Sequence, residues 1–261
     1  FCSMEYMNGL TDSPNGWSND DVLSREIMKT LDSTSGPDFT MAITVQSHGK
    51  YDGIALDDPT IKVTGAPEGK EQAYEYYVNE IHEVDRMIDT LIKELSNRKE
   101  ETVLVLYGDH LPSLDIQKDD LSNANLYQTQ YVVWDNMNLK KKTKNLHAYQ
   151  LYAEVLDRIQ IHEGMITKYH QQTKHRSKLY LTGLTTLSYD LLYGDNYAYD
   201  GKNPFKQTEL QMGTEPVKLT SVQKTKSGYR VVGSGFTPYC KVYYDGTLVE
   251  SEWISSECLQ L

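Results

Sequence analysis

The sequence has no run of about 18 apolar residues, so none of it reads as a membrane-spanning helix. It has no excess of positive charge either: 26 lysines and arginines stand against 37 aspartates and glutamates, a formal net charge of -11. No basic surface would dominate its field, which argues against a nucleic-acid partner. Cysteine is scarce. Cys2, Cys240 and Cys258 make neither a metal-ligand spacing nor a disulfide framework. Cys240 and Cys258 can still face each other across strands, which leaves one bridge open. The start, Phe1 to Glu5, has neither the basic residues nor the apolar core of a signal peptide. With no initiator Met, the chain reads as an excised piece of something longer. What remains is a 261-residue chain, 39% apolar, enough for one large domain or for one medium and one small. Its 20 tyrosines supply apolar area with a polar tip, which suits clefts and wet interfaces.

The most informative stretch runs from Thr102 to His110. Thr102 to Tyr107 is a short apolar run with β-branched residues, the pattern of a strand covered on both faces. Gly108 lets the backbone turn, and Asp109 and His110 follow at once. In an open α/β sheet, ligands gather at the carboxyl ends of strands. A carboxylate and an imidazole there can both reach one divalent metal, and Asp with His suits zinc or manganese. The same dipeptide also fits a turn-capping aspartate beside a surface histidine.

Phe39 to Val45 repeats this design, since it reads as a buried strand that runs into Gln46-Ser47-His48-Gly49. If the two strands are neighbours in a parallel sheet, His48 and the Asp109-His110 pair converge on one site. Alone, His48 also fits a hydrogen-bonded loop histidine.

The rest of the first 211 residues alternates helices with short strands. Residues 1 to 19 have loop composition. Asn19-Asp20-Asp21 precedes Val22, Leu23, Ile27, Met28 and Leu31, a capped amphipathic helix with acids in its first turn. Residues 51 to 70 read as a loop with one short strand near Ile61 to Val63. Glu71 to Asn97 is the clearest helix, with Tyr77, Ile81, Val84, Ile88, Leu91 and Leu95 on one apolar face. His82 and Asp85 lie one turn apart on it, a spacing that suits a shared ligand or a plain surface pair. Tyr131 to Trp134 is another strand, ended by Asp135 and Asn136. Lys140 to Lys144 is most simply a solvated turn. Helices are predicted over 147–161 and 179–193. Between them His170 and His175 lack metal spacing. A tyrosine-rich connector follows.

Near Met212 the character changes. Short strands recur around Val217, Tyr229, Lys241, Glu252 and Cys258, with Gly- and Ser-rich turns between them. Asp245-Gly246 is a hairpin signal. About fifty residues of this kind make a small β-sandwich. The predicted domains are therefore 1–211, an α/β sheet with flanking helices, and 212–261, all-β.

The order Ser47-His48-Gly49, Tyr77-x-Asn79-x-x-His82-x-x-Asp85, Tyr107-Gly108-Asp109-His110-Leu111-Pro112 and Tyr131 to Asn136 resembles the lipoteichoic acid synthase family. Those are phosphoglycerol transferases with a sulfatase-like, alkaline-phosphatase-type fold. The resemblance covers roughly residues 17 to 200, and the later segments look like versions from Gram-positive anaerobes. Gly233 to Gly246 resembles immunoglobulin-like folds of the IPT/TIG type. The resemblance implies that Asp109 and His110 are two ligands of a catalytic divalent ion, manganese first, with magnesium or zinc as alternatives. It implies that His48 contacts the phosphoglycerol headgroup. It also implies a glycerophospholipid donor, a teichoic-acid-type polymer as acceptor, and a membrane-anchored parent working on the extracellular face.

The family also needs a nucleophilic threonine and a metal-binding glutamate, both amino-terminal to the Ser-His-Gly strand. Thr11, Thr30, Thr34, Thr40 and Thr44 precede His48 without a matching context, and Trp17 follows where the headgroup residues would stand. The chain thus reads as the carboxyl-terminal part of a catalytic domain, incomplete at its amino terminus. It carries half of a metal site and is inactive alone. A sulfatase or phosphoethanolamine transferase of the same superfamily, or a non-catalytic polymer-binding protein, are the competing readings.

Overall fold

The computed structural model describes residues 1–175, 177–206 and 210–261. It divides into two compact units, Phe1–Asn136 with Leu210–Leu261, and Met137–Glu209.

The first unit holds helices α1 (Val22–Asp32) and α2 (Glu71–Ser96) and strands β1 (Val103–Tyr107) and β2 (Tyr131–Asp135). The buried side of α2 is rotated from the expected face. Leu91 and Leu95 are buried as predicted, but the amino-terminal half buries Ala73, Tyr76, Asn79 and Glu80, while Ile81 is exposed. Asn79 explains part of this rotation, because its amide accepts from Ile61 N at 3.0 Å and donates to Ile61 O at 2.8 Å. Glu75 likewise accepts from Val63 N at 3.0 Å. The strand predicted at Ile61–Val63 is therefore absent. Its backbone groups are satisfied by helix side chains, which removes the need for a neighbouring strand. Around Tyr76, the most buried large side chain, pack Tyr51, Ala73 and Leu114.

The parallel pairing expected of the strands is also corrected. β1 and β2 are antiparallel, with Val103 opposite Asp135 and Tyr107 opposite Tyr131. β1 is only half-buried, and Tyr107 at its end is exposed. Residues 39–45 join no sheet among the described residues. Phe39, Met41 and Ile43 are exposed, and the N–H groups of Val45 and Gln46 go to the Asp20 carboxylate. A ladder needs those donors.

The carboxyl-terminal segment forms a four-stranded antiparallel sheet in the order β3 (Lys218–Thr225), β4 (Gly228–Ser234), β8 (Cys258–Gln260), β7 (Glu252–Ser255). A separate hairpin pairs β5 (Val242–Tyr244) with β6 (Thr247–Val249). Its turn is Asp245-Gly246, both residues at positive φ, the twist that a two-residue hairpin favours. Val231, Phe236 and Leu259 form the small core. Gly233 is required there, because a Cβ would lie 2.0 Å from Lys218 O. The two cysteines that could have paired are free. Cys258 sits in the sheet opposite Val232, whereas the Cys240 sulfur takes the N–H of Thr237 at 3.3 Å. The sheet is fastened to the start of the chain: the Phe1 amino group donates to Gln211 O, and Thr237 Oγ1 donates to Glu5 O.

The second unit packs α3 (Ala148–Arg158), α4 (Met165–Gln172) and α5 (Tyr180–Leu192). Helix α4 escaped the sequence reading because the residues it buries are polar, Thr167 and His170. His170 Nδ1 meets the Tyr180 hydroxyl at 2.5 Å, and His175 Nε2 meets His170 O at 2.9 Å. Burial, with His175 nearby, pushes the His170 pKa below its ordinary value. His170 is buried, whereas His175 is exposed. Among the described residues, no helix is long and apolar enough to cross a membrane.

Candidate functional site

The turn Gln46–Gly49 is held from four sides. Asp20 Oδ2 accepts from Gln46 N at 3.0 Å, and the Gln46 side chain accepts from Asp20 N at 2.9 Å. Tyr51, itself buried, donates its hydroxyl to Ser47 O at 2.9 Å. Asn15 Nδ2 donates to His48 O at 3.0 Å, and Trp17 Nε1 to Gly49 O at 3.2 Å. The Trp17 ring stands edge-on to His48, with centroids 5.2 Å apart.

The second turn follows β1. Asp109 Oδ1 accepts from His110 N at 2.8 Å, so the carboxylate stiffens the dipeptide it belongs to. The two turns meet without a parallel sheet. Gly49 lies so close to Ser113 that a Cβ would sit 2.2 Å from the Ser113 hydroxyl. The rings of His48 and His110 are 6.0 Å apart. The structure thus brings His48, Asp109 and His110 into one solvent-open patch. His82 and Asp85 belong to no group of three metal-binding side chains, and none exists among the described residues.

Both site histidines are oriented alike. His48 Nδ1 faces Gly49 O at 2.9 Å, and His110 Nδ1 faces Leu111 O at 2.8 Å. A carbonyl can only accept, so each Nδ1 is the donor in its bond and each Nε2 is turned away from the backbone. An N–H tied to a carbonyl is the usual support of a metal-binding or proton-accepting imidazole. His110 Nε2 lies 3.6 Å from Asp109 Oδ2. Two ligands at about 2.1 Å from one ion can be no more than about 4.2 Å apart. The pair therefore fits a single divalent ion and supplies one nitrogen and one oxygen to it.

The supports of the first turn were not legible as site residues. Asp20 belongs to the run Asn19-Asp20-Asp21 that signals a helix cap, yet the residue at the cap, Asp21, makes no side-chain capping bond. Asp20 instead turns its carboxylate onto the Val45–Gln46 backbone. Burial raises its pKa, against the lowering effect of those two N–H groups.

Glu80 of α2 is also buried here, and burial raises its pKa too, with Glu83 and Asp20 adding like charge and Gln46 and Tyr76 opposing. A carboxyl whose folded value is raised holds its proton more tightly when folded. Its stability contribution is complete below the ordinary carboxylate range and is lost as pH rises through the raised value. We expect Glu80→Gln to leave stability unchanged near pH 4 and to add about 1 kcal/mol near pH 8. Urea denaturation at both pH values checks this. An equal shift at both would mean that Glu80 does not titrate between them.

In this mixed α/β chain the Asp109-His110 pair follows β1, and His48 reaches it from a loop. Residues 1–161 match the sulfatase family model, and the chain belongs to that family. Over 144 residues it is 31% identical to a protein of Rhizobium meliloti described as a putative cyclic beta-1,2-glucan modification protein, matching 48% of this chain and 22% of that one. The fold is similar to that of the Streptococcus pyogenes phosphoglycerol transferase GacH, solved in complex with sn-glycerol-1-phosphate, with a TM-score of 0.52. That match has 16% identity and covers 77% of this chain and 55% of the other. The chain thus spans about a fifth of the curated relative and about half of the solved one.

Proposed function

We propose that this chain is part of an extracellular, metal-dependent phosphoglycerol transferase that moves glycerol phosphate from a glycerophospholipid to a growing teichoic-acid-type polymer. The observation that carries the reading is the patch itself: two imidazoles whose Nδ1 atoms face backbone carbonyls, with a carboxylate 3.6 Å from one Nε2. The fold shared with a phosphoglycerol transferase supports it.

In this reading Asp109 and His110 hold the ion, manganese by preference, with magnesium or zinc able to replace it. The ion, when bound, neutralises phosphoryl charge and lowers the pKa of a nearby hydroxyl. His48 approaches from the other turn and presents Nε2 to the headgroup for a hydrogen bond. Asn15, Trp17 and Tyr51 keep that imidazole in place. The threonine that carries glycerol phosphate covalently, and the glutamate that completes the ion's ligands, lie outside this chain, which is inactive alone. The parent protein is anchored in the membrane. Residues 212–261 form an appended module of IPT/TIG type beside the catalytic part, 1–211.

A second reading is sulfate-ester hydrolysis, which the family's own description favours. One experiment separates the two. The full-length protein is incubated with manganese and phosphatidylglycerol vesicles, and in parallel with an aryl sulfate. Release of diacylglycerol with glycerol phosphate bound to polymer supports the transferase. Release of sulfate alone replaces it with the hydrolase, and release of neither removes both.

A further inference from the structure

Beside the Asp109–His110 turn the structure has a cleft of about 330 Å³ to which no role has been given. Its walls come from Leu111 and from the loop 121–130. This volume is at the small end of the range for small-molecule sites.

The cleft is joined to the site by covalent neighbours and by hydrogen bonds. Leu111 lines it, and the Leu111 carbonyl is the group that fixes the His110 ring. On the opposite wall, Thr129 donates its hydroxyl to Gly108 O at 2.6 Å. Gly108 N donates in turn to Gln130 O at 3.2 Å. A Cβ on Gly108 would be 3.4 Å from Thr129 Cβ, so the loop packs directly on the turn. Anything seated in the cleft lies against the residues that would hold the reacting phosphoryl group.

The lining is chemically one-sided. It has no charged side chain. Asn123, Gln128 and Gln130 bring carboxamides, Ser122 and Thr129 bring hydroxyls, and Leu111 and Leu121 bring an apolar floor. The amides of Gln128 and Gln130 form no side-chain hydrogen bond among the described residues and face solvent. A carboxamide both donates and accepts, which matches neighbouring hydroxyls of a polyol. A leucine floor suits the C–H face of a sugar ring, and Tyr127, next to Gln128, is 96% exposed, a surface of the kind on which rings pack. A polyanion would require cations on these walls, and the whole chain carries a net charge of -11.

We infer that this cleft is the acceptor subsite and takes a neutral, hydroxyl-rich glycan. The inference rests on the transferase reading and specifies its acceptor: the part of the polymer that enters this cleft is an uncharged, hydroxyl-bearing sugar. In the transfer, a glycan oxygen forms a bond to phosphorus as the threonine oxygen–phosphorus bond breaks. The glycan hydroxyl proton goes to the departing threonine oxygen, so atoms and charge balance.

The test uses the full-length protein, manganese and phosphatidylglycerol, with a linear glucose hexasaccharide or a glycerol phosphate oligomer as acceptor. The variants are Q128A/Q130A and N123A, all on exposed side chains, with circular dichroism checking that each keeps the wild-type fold. The expected result is modification of the hexasaccharide by the wild type, with its KM raised about tenfold or more in Q128A/Q130A and kcat changed less than about twofold. An unchanged KM overturns the inference, as does a wild-type preference for the charged oligomer. If the wild type modifies neither acceptor, the transferase reading fails separately. Calorimetric titration with the hexasaccharide then decides the cleft alone: binding lost in Q128A/Q130A supports a glycan site, and no wild-type binding overturns it.

Discussion

Asp109→Asn in the full-length protein should lower phosphoglycerol transfer by roughly a thousandfold, because an ion that stabilises phosphoryl charge contributes several kcal/mol to the transition state. The substitution is chosen to spare the fold. The remaining amide oxygen can still accept from His110 N, the bond that stiffens the turn at 2.8 Å in the wild type. What disappears is the negative charge 3.6 Å from His110 Nε2. The loss should therefore appear in manganese affinity as well as in rate. Rate assays across a manganese titration separate the two readouts. Raised manganese should recover part of the activity, and chelation of the wild type should reproduce the variant. A variant with wild-type rate and affinity would return Asp109 to the role of a turn-capping residue.

The second large effect is expected on stability. Asp20→Ala should cost about 3 kcal/mol or more, since it removes the carboxylate that satisfies two backbone donors and strands them away from water. Asp20 is 2% exposed and accepts from Val45 N at 3.0 Å and from Gln46 N at 3.0 Å. Asp20→Asn keeps one acceptor oxygen and removes a carboxylate whose pKa burial has already raised. It should cost about 1 kcal/mol. The damage from alanine should also reach the site, because the anchored residues lead straight into His48. Urea denaturation gives the stabilities, and the NMR shifts of the His48 ring report its position. Equal costs for alanine and asparagine would mean that the carboxylate is not what holds this turn.

Much of the secondary structure was readable because it depends on local properties. Helix α2 was placed within a residue of its observed ends, and the Asp245-Gly246 hairpin formed where its turn residues stand. These features rest on helical periodicity and on the φ angles that two residues adopt. Helix α4 could not be read, because a helix that buries a threonine and a histidine has no apolar stripe. The segments 39–45 and 61–63 misled for the opposite reason. Their composition is that of strands, but Asp20, Glu75 and Asn79 take the backbone groups that a ladder would use.

The sequence by itself singled out the candidate residues: His48 after one apolar run, Asp109 and His110 after another, each beside a glycine. Chain order and residue type suffice for that, since a strand end followed by Gly, Asp and His is a local pattern. Only the tertiary structure decided how these residues meet. The close approach of Gly49 to Ser113 and the 6.0 Å between the imidazoles come from backbone segments about sixty residues apart. Such contacts are set by packing around Tyr76 and by buried hydrogen bonds such as those of Asp20, and no local pattern encodes them.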